Sequence, residues 1–556
     1  MRRVAAVAAA YLAASMFLTW PLVTTLTTRL GALEGPGDPY LNLWVLGWGM
    51  QSWLRDPLGT LAGRAFDAPI FHPAPLTLAY SDHQLLQALL VTPVFAATGN
   101  LTLAYNVVLL MSLAASGIAM HVLARSVTGS TAAALVAGLA WTCWPYRTAH
   151  LLHVQLQALY FLPLALWALL RVAAAQRWID AAWLGLWSAG QAIVSAYYGV
   201  MAALTLLVAA PVLAWTTGQW RAPRFWTRVA LAAAIAGLLV LPAAMPYFRS
   251  QATVGMGRSV FEAAGHAAAL RSYAQVRPEN ALYGRTGWLA PRAPLPGERD
   301  LRHVEQQLFP GAVVLVLSMV GLVLGWRSDQ RPIVVAAAVL VAVGVWLSLG
   351  PEGPLGLYTV LATNVLAFGA VRAPARFAVV AMLGLCLLAA IAVSRLTRRP
   401  GGAWARRGMT APVLVIGLML AECANVPLAL VEAPPSDTPV GRWLRDAPAP
   451  GAVLYWPVSL DRESTPYMIE ALQHGRPIVN GYSGRRPPGY SRIIARLSTL
   501  PATEGLAMLK DLNVRFVVAP AGYGALAAGA PLVRRATLGE RAIYELRWPD
   551  GSAGAR

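Results

Sequence analysis

Charged residues are scarce in this chain of 556 residues, where Asp, Glu, Lys and Arg together make up 12% against 57% hydrophobic residues. This composition excludes an ordinary soluble globular protein. Apolar runs of about twenty residues, the length that crosses a bilayer, recur along most of the sequence. We therefore expect a polytopic membrane protein.

Lysine and cysteine are also rare, and Lys510 is the only lysine. Cys143, Cys386 and Cys423 lie far apart in apolar stretches without CxxC or Cys/His spacing, which indicates neither a zinc site nor a disulfide framework. The formal net charge of +19 therefore comes almost entirely from arginine, much of it in short loops. That distribution is typical of the positive-inside pattern of membrane proteins and argues against a nucleic-acid partner.

The apolar runs predict about eleven membrane-spanning helices. The first run is too long for a signal-peptide core, and its basic start predicts a cytoplasmic N-terminus. The predicted spans are residues 4–24, 101–124, 131–147, 153–172, 179–197, 198–216, 229–247, 309–326, 332–350, 375–396 and 410–431. Alternate loops are rich in arginine, as this count requires, and they contain Arg125, Arg171, Arg177, Arg221, Arg224, Arg228, Arg327, Arg331, Arg395, Arg398, Arg399, Arg406 and Arg407.

Three further apolar stretches do not fit as crossings. Residues 82–98 and 355–371 are predicted to be re-entrant or interfacial helices. In residues 39–54, Trp44, Trp48 and Trp53 recur at helical spacing, which predicts a helix lying at headgroup level on the outer surface.

The composition changes at residues 432–437, where a linker-like segment begins. Beyond it, strands are predicted at 451–458, 515–520 and 542–548, and a helix at 503–512. An odd number of spans places this tail outside. We expect a transmembrane domain at 1–432, with outer loops 25–100 and 248–308, and a small extracytoplasmic α/β domain at 433–556.

Unusual polar side chains gather at the predicted outer ends of the spans, whereas the inner loops carry little beyond arginine. Asp38 stands just beyond the first span, in Gly37-Asp38-Pro39-Tyr40. The other candidates at this face are Asp82, His83, Arg147, His150, His153, Tyr197, Tyr198, Glu305, Arg372 and Arg376. Charges that gather at one face favour chemistry at a membrane surface.

With these features the chain resembles the integral-membrane glycosyltransferases of the GT-C superfamily, and within it YfhO-like and mannosyltransferase-like bacterial membrane proteins. The resemblance covers most of the chain. It implies a lipid-phosphate sugar donor and an active site on the outer face of the bacterial cytoplasmic membrane. An acid in the first outer loop is the catalytic base of such enzymes, which implies that role for Asp38. The short motifs that carry it are Gly37-Asp38, Phe71-His72-Pro73, Ala104-Tyr105-Asn106, the segment with His150 and His153, Phe309-Pro310-Gly311 after Glu305, Val371-Arg372-Ala373-Pro374-Ala375-Arg376-Phe377, His474-Gly475-Arg476-Pro477 and Val479-Asn480-Gly481-Tyr482.

The chemistry of such an enzyme fits these residue types. Displacing a lipid phosphate from an anomeric carbon needs a base for the acceptor hydroxyl and cations for the charge that grows on the phosphate. Asp38 is the candidate base, while Arg372 and Arg376, four residues apart on one face of a helix start, are candidates to hold the phosphate, with Arg147 as a further one. One acid suffices for a single inverting displacement. Pro39 follows Asp38, so a two-acid or metal-assisted reaction is disfavoured.

Each candidate also has a structural alternative. Asp38 fits a turn or helix cap, and Asp82 and His83 could cap the helix that follows them. His150 and His153 suit metal ligands, donors to sugar hydroxyls or phosphate, or interfacial caps. The remaining alternatives are lipid-headgroup contacts for Arg372 and Arg376, the aromatic belt for Tyr197 and Tyr198, and a loop ion pair for Glu305.

The sequence thus predicts a transferase that moves a sugar from a polyprenyl-phosphate donor to a glycan, lipid or protein acceptor of the cell envelope, in contact with membrane lipids. No cofactor and no metal site are predicted, although a divalent metal stays open. A transporter or flippase of lipid-linked envelope precursors is one alternative, but matching polar breaks at mid-span, which such proteins use, are not seen. A non-catalytic membrane scaffold is the other.

Overall fold

The computed structural model describes residues 2–32, 35–254, 259–294, 300–398, 410–523 and 531–547. The α-helices in these ranges are α1 (Arg2–Leu18), α2 (Asp38–Arg55), α3 (Pro57–Leu61), α4 (Leu85–Thr98), α5 (Leu101–Thr128), α6 (Thr131–Cys143), α7 (Pro145–Ala149), α8 (Phe161–Ala175), α9 (Trp178–Val194), α10 (Ala196–Thr216), α11 (Pro223–Val254), α12 (Val260–Gly265), α13 (Ala312–Trp326), α14 (Arg331–Ser348), α15 (Leu357–Asn364), α16 (Leu366–Gly369), α17 (Ala378–Arg398), α18 (Thr410–Cys423), α19 (Pro439–Asp446), α20 (Thr465–His474), α21 (Tyr490–Leu497) and α22 (Thr503–Asp511). The strands are β1 (Arg29–Leu30), β2 (Val431–Glu432), β3 (Ala452–Tyr455), β4 (Val514–Pro520), β5 (Leu532–Leu538) and β6 (Arg541–Leu546).

Every predicted span overlaps one of these helices, and the predicted number of crossings stays a prediction. Among the described residues, 6 helical segments are long and apolar enough to cross a bilayer, and shorter apolar helices accompany them. The long segments are Leu101–Thr128, Val154–Ala175, Ala196–Thr216, Pro223–Ala252, Arg331–Ser348 and Pro374–Arg398. The expectation of a polytopic helical membrane protein is confirmed. The arginine-rich loop residues Arg399, Arg406 and Arg407 lie outside the described residues.

The stretches predicted not to cross are short or broken helices. Helix α4 has 14 residues and is one of the shorter apolar helices. The stretch 355–371 contains two short helices that meet at Val365, whose backbone is extended. Their placement at the membrane interface stays a prediction.

The helix predicted for residues 39–54 is present as α2, but its tryptophans do not form an exposed headgroup face. The Trp44 side chain is buried. The indole N–H groups of Trp48 and Trp53 donate to the backbone carbonyls of Ala65, at 2.7 Å, and Leu85, at 2.8 Å. The expected interfacial role is wrong for Trp44, because its ring is packed inside the protein.

The chain folds into two compact units, each assembled from separate segments. The first unit comprises Met1–Thr25, Val107–Leu241 and Met256–Ala429, and the second comprises Leu26–Asn106, Pro242–Gly255 and Leu430–Arg556. The predicted boundary between residues 432 and 433 stays a prediction.

The first unit is a helical bundle in which α13 and α14 pack against α17. Two glycines make these contacts close. A Cβ at Gly321 would overlap the carbonyl oxygen of Leu388, and one at Gly384 would overlap that of Ala337. Small residues at such crossings let backbones approach, which is how helices without a strong hydrophobic drive between them associate in lipid.

The second unit contains a four-stranded sheet in the order β3-β4-β6-β5, in which β3 and β4 are parallel and the other pairs are antiparallel. Leu454, Val517 and Tyr544 lie in its core. Helix α2 packs against α20 and α4 in the same unit, and β1 pairs with β2. The predicted strands and the helix at 503–512 are confirmed where described, whereas β5 and helices α19 to α21 were not predicted.

Candidate functional site

Asp38, the predicted base, is the first residue of α2. The preceding Gly37 has φ of 119°, a conformation that favours glycine, and Pro39 fits the first turn of the helix. The Asp38 carboxylate is half-buried, and its Oδ1 accepts a hydrogen bond from the Tyr482 hydroxyl at 3.1 Å. The acid is therefore held by a residue of the C-terminal segment in the same unit.

A second contact anchors the turn before Asp38. The Gly37 backbone N–H donates to Oγ1 of Thr465 at 3.2 Å, and the Arg462 side chain lies against the open side of Gly37. Residues 462–464 form a 3₁₀ turn, and Thr465 begins α20. Both sides of the acid-bearing turn are thus bounded by the segment that follows β3.

The segment that carries Tyr482 is fixed by buried hydrogen bonds. The Asn480 side chain accepts from the Tyr455 N–H and donates to the Tyr455 carbonyl, both at 2.8 Å. Gly481 lies against the ring of Phe71, whose N–H donates to the Asn480 carbonyl at 3.2 Å. Two motifs that carried the sequence resemblance, at 71–73 and 479–482, therefore pack together.

Asp82 and His83 are buried in the second unit, at 7% and 5% exposure. Nδ1 of His83 accepts from the Leu85 N–H at 3.0 Å, at the start of α4. Burial lowers the pKa of His83 to about 4, so the imidazole is neutral at pH 7. The geometry of His83 matches the structural alternative, a contact that supports the start of the following helix.

Glu305 and Arg376 form a buried ion pair in the first unit. Nε of Arg376 lies 3.1 Å from both carboxylate oxygens of Glu305, and its Nη2 lies 2.5 Å from Oε1. Burial raises the pKa of Glu305, but the Arg376 guanidinium and His150 outweigh it and hold that pKa well below its usual range. The ring of Tyr197 covers the guanidinium, with Cζ 4.6 Å from the ring centroid.

The expectation that Arg372 and Arg376 share a helical face is wrong. A 3₁₀ turn begins at Pro374, after an extended Ala373, so Arg372 precedes the helical segment. Its side chain, 45% exposed, faces Glu262 at 3.4 Å. Arg376 is buried and paired with Glu305, so Arg372 is the more accessible cation for a ligand.

His150 lies beside the ion pair, completely buried, with Nε2 3.6 Å from Oε2 of Glu305. That separation exceeds a hydrogen bond, and Nε2 has no hydrogen-bond partner among the described residues. The two Nδ1 atoms of His150 and His153 are 3.4 Å apart. Burial lowers the pKa of His150 to about 3, so its imidazole is neutral at pH 7.

Tyr198 is buried in the same bundle, and Tyr197 is half-buried. The Tyr198 hydroxyl interacts with the hydroxyl of Tyr146. Neither residue has the exposed aromatic face that a sugar-stacking platform needs, because Tyr198 is enclosed and Tyr197 is covered by Arg376.

Arg147 is buried and acts as an internal anchor. Its guanidinium donates to Oε1 of Gln157 at 3.2 Å, to Oγ of Ser116 and the Trp141 carbonyl, both at 3.4 Å, and to the Gln157 carbonyl. Gln157 returns a bond to the Arg147 carbonyl at 3.1 Å. The guanidinium is committed to neutral oxygens inside the bundle, which leaves the expected phosphate contact without support.

A partly accessible rim adjoins the buried cluster. It consists of His153, His266, His303 and Arg372, and we call it the His–Arg rim. The rings of His266 and His303 lie 5.1 Å apart, and His303 interacts electrostatically with His153, Arg372 and Glu305. Burial lowers the pKa of His266, and Arg372 adds to that effect.

His266 and His303 were missed from sequence. The available signal was their place in the predicted outer loop 248–308, in a chain with only 8 histidines.

The predicted site residues thus separate between the two units. Asp38, Asp82 and His83 belong to the second unit, and the others belong to the first: Arg147, His150, His153, Tyr197, Tyr198, Glu305, Arg372 and Arg376. Among the described residues, no group of three or more His, Cys, Asp or Glu side chains could hold a metal ion.

The chain was compared with protein families, curated proteins and solved structures. The profile of a family described as "Domain of unknown function (DUF6311)" matches residues 5–420. No curated protein matches the chain. The apo oligosaccharyltransferase of Archaeoglobus fulgidus is similar in structure, with a TM-score of 0.50 at 14% identity, over 93% of this chain and 69% of that one. ArnT from Cupriavidus metallidurans, bound to undecaprenyl phosphate, gives a TM-score of 0.40 at 14% identity, over 97% of each chain. At such identities the likeness concerns the fold alone, and the expected fold class, a polytopic α-helical membrane protein with a small C-terminal sheet, is confirmed.

Proposed function

We propose that this chain, which belongs to the family described as "Domain of unknown function (DUF6311)", is a membrane glycosyltransferase. In this proposal it transfers a sugar from a polyprenyl-phosphate donor to an envelope acceptor at the extracytoplasmic face, with Asp38 as general base. The fold likeness to an oligosaccharyltransferase supports sugar transfer as the reaction class. We also propose that the chain is related to YfhO-like membrane proteins.

The observation that carries the proposal is the setting of Asp38. A general base must be half-accessible, so that an acceptor hydroxyl can reach it, and it must be held in one orientation. Asp38 fits both requirements, because the residue is partly exposed and the Tyr482 hydroxyl bonds to Oδ1. Gly37 is the N-cap residue of α2, so Asp38 does not serve as its cap.

Within the first unit, we propose the His–Arg rim as the part of the chain that contacts a phosphate group, with Arg372 as its permanent charge. The polyprenyl phosphate that leaves carries one negative charge more than the phosphodiester of the donor, and such a charge nearby favours the protonated imidazoles of His266 and His303. Arg372 is 45% exposed and faces Glu262 at 3.4 Å, a loose pair that a phosphate can replace. The buried Glu305–Arg376 pair would stabilise the structure around the rim and would not contact the substrate.

The test is complementation of a strain that lacks this protein, with lipid-linked sugars and surface glycans compared by mass spectrometry. Asp38→Asn should lower sugar transfer by roughly 10²- to 10⁴-fold, the range for loss of a general base, so that donor accumulates. Asp56→Asn is the matched control. Asp56 is the N-cap of α3, where its side chain accepts from the Gly59 N–H, and Asn caps equally well.

Wild type and Asp56→Asn should both restore the missing glycan. Equal restoration by Asp38→Asn at matched expression would reject Asp38 as the base. A transporter or a scaffold would then account better for the phenotype.

A further inference from the structure

We propose that Tyr482 is a positioning residue for Asp38, so that the C-terminal segment completes the site of the acid. This inference rests on the proposed function, in which Asp38 is the base. It deepens that function by assigning Tyr482 a task in turnover, which is to orient the Asp38 carboxylate.

The first step is the contact itself. The Tyr482 hydroxyl donates to Oδ1 of Asp38 at 3.1 Å, slightly longer than the usual O–H···O separation of about 2.5–3.0 Å. Asp38 opens α2, where the free N–H groups of the first turn also favour a negative charge. The phenol therefore stabilises a carboxylate that already sits in a favourable field, and it holds one of the two oxygens in place.

The second step is the rigidity of the segment behind the phenol. Asn480 is fully buried and bridges both backbone groups of Tyr455 with its side chain. Because Tyr455 belongs to β3, this bridge ties the segment to the sheet. Gly481 passes so close to Phe71 that a Cβ there would overlap the ring. The backbone on the N-terminal side of Tyr482 is thus fixed on two sides.

The third step concerns what a phenol contributes to a base. A hydrogen bond that fixes the carboxylate reduces the number of orientations that an incoming acceptor hydroxyl meets, and orientation is a large part of catalysis. Loss of this bond should lower kcat and leave KM little changed, because Tyr482 acts through Asp38 and does not itself bind the donor or acceptor.

The variant is Tyr482→Phe, which removes only the hydroxyl. We expect kcat to fall by about 3- to 10-fold, the value of one net hydrogen bond, with KM unchanged. Tyr523→Phe is the matched control, because Tyr523 is 46% exposed and lies in the same unit. Its turnover should equal that of wild type. Equal unfolding temperatures for both variants and wild type would show that the fold is intact.

A double-mutant cycle separates positioning from a general structural effect. In the Asp38→Asn background, Tyr482→Phe should cause no further loss, since the carboxylate on which it acts is gone. The same 3- to 10-fold loss in both backgrounds, about the value of one hydrogen bond, would overturn the inference. Wild-type turnover in Tyr482→Phe would overturn it too.

A second readout needs no turnover. Carbodiimides modify protonated carboxyl groups, so the pH dependence of Asp38 labelling, followed by mass spectrometry of the full-length protein in detergent, reports on its proton directly. Without the phenol, labelling should extend to higher pH. Normal turnover in Asp38→Asn would reject the proposed function, whereas impaired turnover in Asp38→Asn with unchanged labelling in Tyr482→Phe would reject the positioning role alone.

Discussion

Arg376 forms a two-pronged ion pair with Glu305 across 71 positions of the chain, and both side chains are buried. The pair joins the turn that precedes α17 to the loop that precedes α13. Planar guanidinium and carboxylate groups match in this geometry, which a lysine could not reproduce. A buried pair of this kind depends on both partners, because removal of either leaves an uncompensated charge.

Arg376→Ala should therefore lower the free energy of unfolding by about 3–5 kcal/mol, as measured by thermal or chemical unfolding in detergent. Arg372→Ala is the matched control. Its pair with Glu262 is partly exposed, so its loss should cost less than about 1 kcal/mol. Equal stability of the two variants would contradict the assignment of Arg376 as an internal partner of Glu305.

The anchor role of Arg147 gives another prediction. Arg147→Lys keeps the charge but cannot reach the oxygens of Gln157, Ser116 and Trp141 together. We expect a loss of about 1–3 kcal/mol in the free energy of unfolding, from the acceptors left without a donor. If the arginine served a phosphate instead, the lysine variant would fold as wild type does and show a raised KM for the donor.

Glu422 supplies a third prediction, and it is an acid that sequence reasoning passed over within an apolar helix. Its carboxylate accepts from the N–H groups of Ala312, at 3.1 Å, and Val313, at 3.2 Å, and from the Tyr283 hydroxyl at 2.6 Å. Glu422 therefore caps the start of α13 from another helix.

Glu422→Ala should cost about 2–3 kcal/mol, because two buried N–H groups lose their acceptor. Tyr283→Phe tests the hydroxyl contact alone and should cost about 1 kcal/mol. Thermal unfolding in detergent measures both. A silent Glu422→Ala would mean that water satisfies the start of α13.

Sequence predicted the membrane helices well because one quantity, the length of an apolar run, decides them. It failed where a segment lacked a clear period. Strand β5 carries Arg534 and Arg535, and most of its residues are not buried, so it shows neither a continuous apolar run nor alternation. Helix α21 has only 8 residues and follows Gly489, in a stretch rich in turn signals.

At the candidate site, sequence identified residue types but not their partners. Glu305 and Arg376 were both named, yet no local periodicity links positions 71 apart, and an arginine near a span end is equally expected to face lipid headgroups. Similarly, the motif that holds Tyr482 was recognised without its contact to Asp38, because 444 positions separate them. Pairings of this kind are set by the tertiary fold and cannot be predicted from a single sequence.

The last prediction concerns the stability of the second unit at low pH. Burial lowers the pKa of His474 from 6.5 to about 4. The buried imidazole bonds through Nε2 with the Tyr455 hydroxyl at 3.2 Å and through Nδ1 with the Arg476 N–H at 3.0 Å. Since Nδ1 must accept from a backbone N–H, the proton of the neutral ring lies on Nε2.

The depressed pKa fixes the sign of the pH dependence. Between pH 6.5 and 4 the unfolded chain binds a proton at His474 and the folded chain does not, so stability is fully present above pH 6.5 and is lost as the pH falls toward 4. His474→Gln removes this titration. The fall in unfolding free energy between pH 7 and pH 5 should be smaller by about 2 kcal/mol in that variant.

Tyr455→Phe is the control, because it removes a hydrogen bond of His474 but keeps the imidazole buried. It should lower stability at every pH and retain the slope between pH 7 and pH 5, as followed by chemical unfolding of the full-length protein in detergent. If His474→Gln kept the full slope, other groups would be the ones that gain protons on unfolding, and His83, with a pKa also lowered to about 4 by burial, would be the first to test.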